Sequence, residues 1–167
     1  MPTWAIVLIA SVGGFFILAI LLAIAIPTFL GVSHDAVEAV PDRAAQAGLN
    51  TALTDAKALY ARDQTYPADT PTQLGRGDPA LQFVAAPAPS TAWDSISLAN
   101  TSEALLMTNR SASGTCWWIL DVEAVPAGVG PGLPSAPGVY DDRSQGATCQ
   151  ASDYPTGGWQ TDPYPAG

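Results

Sequence analysis

AAQAGLNTALTDAKALYARDQTYP, residues 44–67, is the stretch on which the fold turns. Within it Leu49, Ala52, Leu53, Ala56 and Tyr60 recur at i, i+3, i+4, i+7 and i+11, one stripe of an α-helix. Asn50, Thr54, Asp55, Lys57 and Arg62 fall mostly off that stripe. The spacing predicts an amphipathic helix that packs Leu49, Leu53, Ala56 and Tyr60 against a sheet. The stripe is rich in alanine, so the covering layer can approach closely. Tyr66-Pro67 is expected to end the helix, because a proline excludes the residue before it from the α region.

Upstream, the chain from Trp4 to Leu30 is almost wholly apolar, and residues 1–33 contain no Asp, Glu, Lys, Arg or His. About 20 apolar residues span a bilayer as a helix. A short leader or tail, 1–5, a membrane-spanning helix, 6–32, and an amphipathic continuation, 33–66, are therefore expected. MPTWAIVL lacks the basic start of a cleaved secretory signal, so the anchor is expected to be retained. Pro27 and Pro41 each remove a helix hydrogen bond, and Gly31 lies between them. One long helix, kinked or loosened at Pro27, Gly31 and Pro41, is one reading. A break near Gly31–Ser33, with Ser33 capping a second helix, is the other.

Downstream, residues 67–92 are rich in Pro, Ala, Thr and Gly and read as a connecting loop. WDSISLAN, EALLMTN and TCWWILDV then carry strand signals, and GVYDD suggests a short fourth strand. Residues 93–167 thus form an antiparallel sheet and a C-terminal region. The expected fold class is α+β: a long N-terminal helix, membrane-spanning in one half and amphipathic in the other, packed on a small antiparallel β-sheet of 3-4 strands. Cys116 and Cys149 are the two cysteines and belong to no C-x-x-C. They read most simply as one disulfide, which requires an oxidising compartment; the other reading is two unrelated buried thiols. The disulfide reading sets the orientation, a single-pass membrane protein with an extracytoplasmic C-terminal domain.

The net charge is −9, and all fifteen acids and six bases follow residue 33. Such a domain lacks the basic footprint of a nucleic-acid binder and suits a solvated surface. His34 is the one histidine, which excludes histidine-based metal clusters. Gly128, Gly130 and Gly132 do not join a strand to a helix, so they form no dinucleotide loop. Asp121/Glu123 and Asp141/Asp142 can bind a cation if the fold brings them together, but they lack the spacing of a calcium loop and read rather as solvated edges. NTS at 100–102 and NRS at 109–111 match the N-glycosylation pattern, which short sequences meet by chance. Trp117 and Trp118, adjacent in a strand, face opposite sides. One belongs to the core, and the other is exposed or lies under a loop or partner. No catalytic constellation, cofactor or metal is expected, and the protein is not expected to be an enzyme.

ILAILLAIAIPTFLG, residues 17–31, resembles the second half of a type IV pilin N-terminal helix, and residues 44–67 are similar to the family's next segment. SGTCWWILD, GVYDD and GATC resemble the distal part of pilin-like proteins. The resemblance implies a pilin-like fold and a structural or minor subunit of a type IV pilus or related secretion filament, acting by helix packing. It implies identical or related pilin subunits as partners, besides the membrane reached through the N-terminal helix, and incorporation in a surface filament. It also implies that the stretch with Pro27 loses helical order on packing. Counted back from Pro27, the family's spacing puts its glutamate on Ala10 and its cleavage between Ala5 and Ile6. Neither the glutamate nor the leader's terminal glycine stands there. A membrane-anchored, non-polymerising pilin-like binding domain is the alternative.

Overall fold

In the computed structural model of the chain, the described residues are 40–125, 128–146 and 148–161. Helix α1 runs over residues 40–63. It is followed by α2 (Thr70–Gly77) and by strands β1 (Gln82–Ala85), β2 (Ser95–Asn100), β3 (Ala104–Arg110), β4 (Thr115–Val122) and β5 (Gly138–Gln145). The strands lie side by side in chain order. β1 runs parallel to β2, and the other neighbouring pairs are antiparallel.

The inner face of α1 is fully closed. Ala45, Leu49, Ala52 and Ala56 are 0% exposed. With Leu59 they pack on Ile96, Leu98, Leu105, Met107, Trp117 and Ile119. Those six alternate along β2, β3 and β4, so they share one side of the sheet. Leu53 and Tyr60 lie at the margin, partly buried. The stripe is thus centred on Ala45, Leu49, Ala52, Ala56 and Leu59, turned slightly from the face that the sequence suggests. Close approach needs Gly48, where a Cβ would stand 3.0 Å from the Trp93 carbonyl oxygen.

Asn109 pins this contact. Its Nδ2 donates to the carbonyl oxygens of Ala45 at 2.7 Å and Trp93 at 3.0 Å, joining β3 to the helix and to the loop before β2. Asn109→Ala is expected to destabilise the domain by about 2 kcal/mol, since two buried bonds vanish and a small void opens. Urea unfolding would read this as a lower midpoint at unchanged slope. A midpoint equal to the parent's would refute it.

The second face of the sheet is also covered. Leu106, Cys116, Trp118, Leu120 and Val122 meet Cys149 and Ala151, with Val129, Leu133, Tyr154 and Trp159 packed around them. A disulfide joins Cys116 to Cys149 and holds this cover to β4. The returning chain also pairs Gln160 with Asp141 on the outer edge of β5, through two backbone bonds of 2.9 Å. Layers on both faces explain why β4 is buried along its whole length, as strands between two layers are.

Several expectations are corrected. The sheet has five strands and is mixed, against three or four antiparallel ones. The additional strand β1 and helix α2 lie within residues 67–92, where an irregular loop was expected. Helix α2 places proline in its first turn, the one helical position where the missing N–H costs nothing, and it buries Thr70 and Leu74 one turn apart. Helix α1 stops at residue 63, before Tyr66-Pro67, because Gln64 turns left-handed at φ 55°. The Gln64 side chain donates to the Tyr60 and Ala61 carbonyls there. Among the described residues no helix is long and apolar enough to cross a membrane. That finding corrects the expected single-pass localisation and the membrane-spanning half of the fold class. α1 itself carries Asp42, Arg43, Asp55, Lys57, Arg62 and Asp63, and so is too polar for that role. The segment 6–32, with Ala5, Ile6, Pro27 and Gly31, lies outside the described residues. Pro41 occupies the start of the described part of α1.

Candidate functional site

Alternation along β4 turns Trp117, Ile119 and Asp121 toward α1. Asp121 is 0% exposed, a buried carboxylate at the end of an apolar row. Lys57 reaches it from α1, with Nζ 2.8 Å from Asp121 Oδ1 and 3.1 Å from Glu123 Oε1. The Tyr66 hydroxyl donates to Asp121 Oδ2 at 2.7 Å. Beside it the Tyr60 hydroxyl donates to Glu103 Oε2 at 2.8 Å. The two tyrosine rings lie 5.0 Å apart, tilted by 50°. Helix, sheet and the α1–α2 connection therefore meet in one polar clasp.

Its electrostatics follow from burial. Desolvation works to lower the Lys57 pKa, but bonds and charge from Asp121 and Glu123 outweigh it, and the net shift is upward. Burial, then the bond to Asp121, pushes the Tyr66 phenol well above its usual range. These partners satisfy one another. Lys57 is held charged and Tyr66 neutral, so neither is poised as a nucleophile or base near neutral pH. The clasp is a tie between layers.

The other singled-out residues distribute as follows. Leu49 and Ala56 lie in the helix–sheet contact, with Leu53 and Tyr60 at its margin. Cys116 and Cys149 are joined. Asp121/Glu123 and Asp141/Asp142 do not come together as a pair of pairs, since Asp121 stands opposite Val139 and Asp141 opposite Ile119. Among the described residues no group of three or more His, Cys, Asp or Glu is placed to hold a metal ion. Neither glycosylation pattern offers a free asparagine. Asn100 donates to the Tyr66 and Pro67 carbonyls, and Asn109 is wholly buried. Trp117 and Trp118 face opposite sides yet both are buried, because both sides of the sheet are covered.

Asp121 was missed as a clasp residue when the acids of β4 and β5 were read as solvated edges. Its signal was present in the sequence. TCWWILDV places Asp121 on the same side as Trp117 and Ile119, and Lys57 borders the helical stripe that meets this side.

Two hollows remain. An open groove of about 590 Å³ separates α1 from α2, with Ala58, Leu59 and Leu74 in its floor and Asp55, Arg62, Asp69 and Arg76 among its charged groups. Arg62 is already engaged, by Asp63 and Gln73. A cavity of about 470 Å³ lies at the outer edge of β5. Comparison of the chain with family models, curated proteins and solved structures gave no match.

Proposed function

We propose that the described domain is the globular part of a pilin-like structural subunit, which works by packing against copies of itself or related subunits rather than by catalysis. The observation that carries this reading is the alanine-rich face of α1 laid across an antiparallel β2–β5 sheet, with the C-terminal cover bonded to β4. A helix ahead of a sheet with a disulfide-bounded end is the part of this order in keeping with the sequence resemblance, whereas α2 and the parallel β1 depart from it. The outward residues of α1, among them Ala47, Asn50, Thr51, Thr54, Ala58 and Ala61, are exposed, small or polar, and mostly uncharged. Small side chains let a neighbouring helix approach closely.

A photo-reactive amino acid at Ala58 of the full-length chain tests this. Expressed in its native cells and irradiated, that variant is expected to give a ladder of bands at multiples of the chain mass. The same label at Ser152, exposed on the opposite cover, serves as the comparison. Monomer alone at both positions would sink the packing role. The cavity at the β5 edge favours a second reading, a pilin-like binding domain that does not polymerise.

A further inference from the structure

Asp142 stands opposite Trp118 in the β4–β5 register, so it lies on the face of the sheet that the C-terminal cover closes. The returning segment, 158–160, runs over it. Gly158 takes φ +97°, and a Cβ there would stand 3.1 Å from both carboxylate oxygens of Asp142. Two residues on, Gln160 exchanges two backbone bonds of 2.9 Å with Asp141, on the outer edge of β5. The segment is thus laid across the carboxylate and fastened beside it.

That carboxylate is only half satisfied. Oδ1 accepts the Arg143 backbone N–H at 2.7 Å. Oδ2 is shut off from solvent and has no hydrogen-bond partner. Nearby polar groups are committed elsewhere. On the same face of β5 the Tyr140 hydroxyl donates to the Ala136 carbonyl, and Ser144 Oγ accepts the Trp118 indole N–H. In the cover the Trp159 indole donates to the Pro155 carbonyl, the Tyr154 hydroxyl lies against Gly130, and Asp153 meets the Thr148 hydroxyl. Among the described residues Arg143 is the charged group that acts on Asp142. Burial raises the Asp142 pKa above its ordinary 3.8 and outweighs the Arg143 N–H bond and charge, which lower it. A neutral carboxyl costs far less to bury than a carboxylate, and its O–H is a donor where the carboxylate has none.

We propose that Asp142 and the strip Gly158–Gln160 form an acid-tightened latch, in which protonation of Asp142 discharges the carboxylate under Gly158 and the C-terminal cover closes more firmly on β5. The closed cover holds the proton more tightly than the open one. Closing is therefore most favoured below the pKa of the open carboxyl and weakens as pH rises through the closed value. Each pH unit between the two pKa values changes the closing constant about tenfold. The device goes beyond the packing role and holds whether or not copies assemble.

The test is hydrogen exchange of the full-length chain, followed by NMR from pH 7 to pH 4 and corrected for the intrinsic rate. The reporters are the Gln160 and Asp141 amides, which bond each other's carbonyls. Their protection is expected to rise severalfold as pH falls, with the midpoint at which the Asp142 carboxyl carbon itself titrates. The Tyr66 amide, bonded to Ser102 on the helix side, should show no such rise. Asp142→Asn, an uncharged isostere, is expected to hold both reporters near their acid level at pH 7 and to remove the pH dependence. Asp153→Asn, elsewhere in the cover, should keep the parent's profile. Flat protection in the parent would overturn the proposal, as would an equal rise at Tyr66 or a rise that survives Asp142→Asn. If that variant does not fold, the parent decides: amide and carboxyl midpoints that differ would reject the latch.

Discussion

Lys57→Met is expected to lower the stability of the domain by about 2–3 kcal/mol. Removing one partner of a buried pair leaves the other charge uncompensated, an effect of about 3–5 kcal/mol when both are buried. Here Asp121 is fully buried but the Lys57 side chain is 43% exposed, so water reaches the lysine end and the lower figure applies. Asp121 would keep only the Tyr66 hydroxyl. Asp121→Leu is expected to cost a similar amount, from a stranded Tyr66 hydroxyl and an unpaired Lys57 ammonium. The double change Lys57→Met with Asp121→Leu should recover much of the loss, since apolar replacement of a buried pair is often neutral or better. Urea midpoints of the four proteins form the cycle that checks this. Additive losses in the double variant would show that the two residues act independently.

The same clasp gives the domain an alkaline limit. Lys57 has a folded pKa above its ordinary 10.5, so its contribution is complete below that pH and is lost as pH rises through the folded value. Tyr66 acts with the same sign. The unfolded chain releases the phenol proton near the ordinary 10.0 while the folded one retains it, so stability falls above that pH. Melting temperature should therefore hold steady from pH 7 to 9 as far as these groups matter, and fall from about pH 10 upward. Tyr66→Phe should make that fall shallower.

Loss of the Cys116–Cys149 bond is expected to have the other large effect. The residues are 33 apart in sequence. Chain entropy assigns such a loop about 4 kcal/mol, and native disulfides in small domains commonly contribute 2–5 kcal/mol. Both sulfurs are buried, so their local environment adds to the effect. Releasing Cys149 also loosens Ala151, Tyr154 and Trp159 from Leu106, Trp118 and Leu120. The double variant Cys116→Ser, Cys149→Ser is expected to melt well below the parent and to bind an apolar dye that the parent does not. The helix side should hold its shape, because Asn109 and the Lys57 clasp lie on the other face. Equal melting temperatures for parent and variant would reject this account.

Much of the framework can be read in the chain because apolar spacing reports burial. TCWWILDV gives a strand, its alternation puts Trp117 and Trp118 on opposite faces, and the period of residues 44–60 gives the packed helix. What escaped the sequence has local physical causes. β1 is a four-residue edge strand, QFVA, too short for a pattern. Helix α2 sits in a Pro- and Gly-bearing stretch, where composition outvotes the single pair Thr70 and Leu74. The second cover of the sheet was illegible because residues 148–161 carry no period. They pack as scattered Ala151, Tyr154 and Trp159, fixed by the disulfide and the Gln160 pairing. The cavity at β5 depends on that returning segment and was unreadable for the same reason.

Chain order has a consequence for how this domain is made. α1 leaves the ribosome before any strand it covers, since β2, β3 and β4 are synthesised some 30 to 80 residues later. Until then Leu49, Ala52 and Ala56 have no sheet to lie on. The strands follow one another as neighbours, so β3 and β4 can pair almost as soon as both have emerged. Cys149 follows all five strands in the chain, so its bond to Cys116 closes only after they have been synthesised. The nascent chain thus passes through an interval in which the apolar face of α1 has no strand to cover it, and a holding factor would act during that interval.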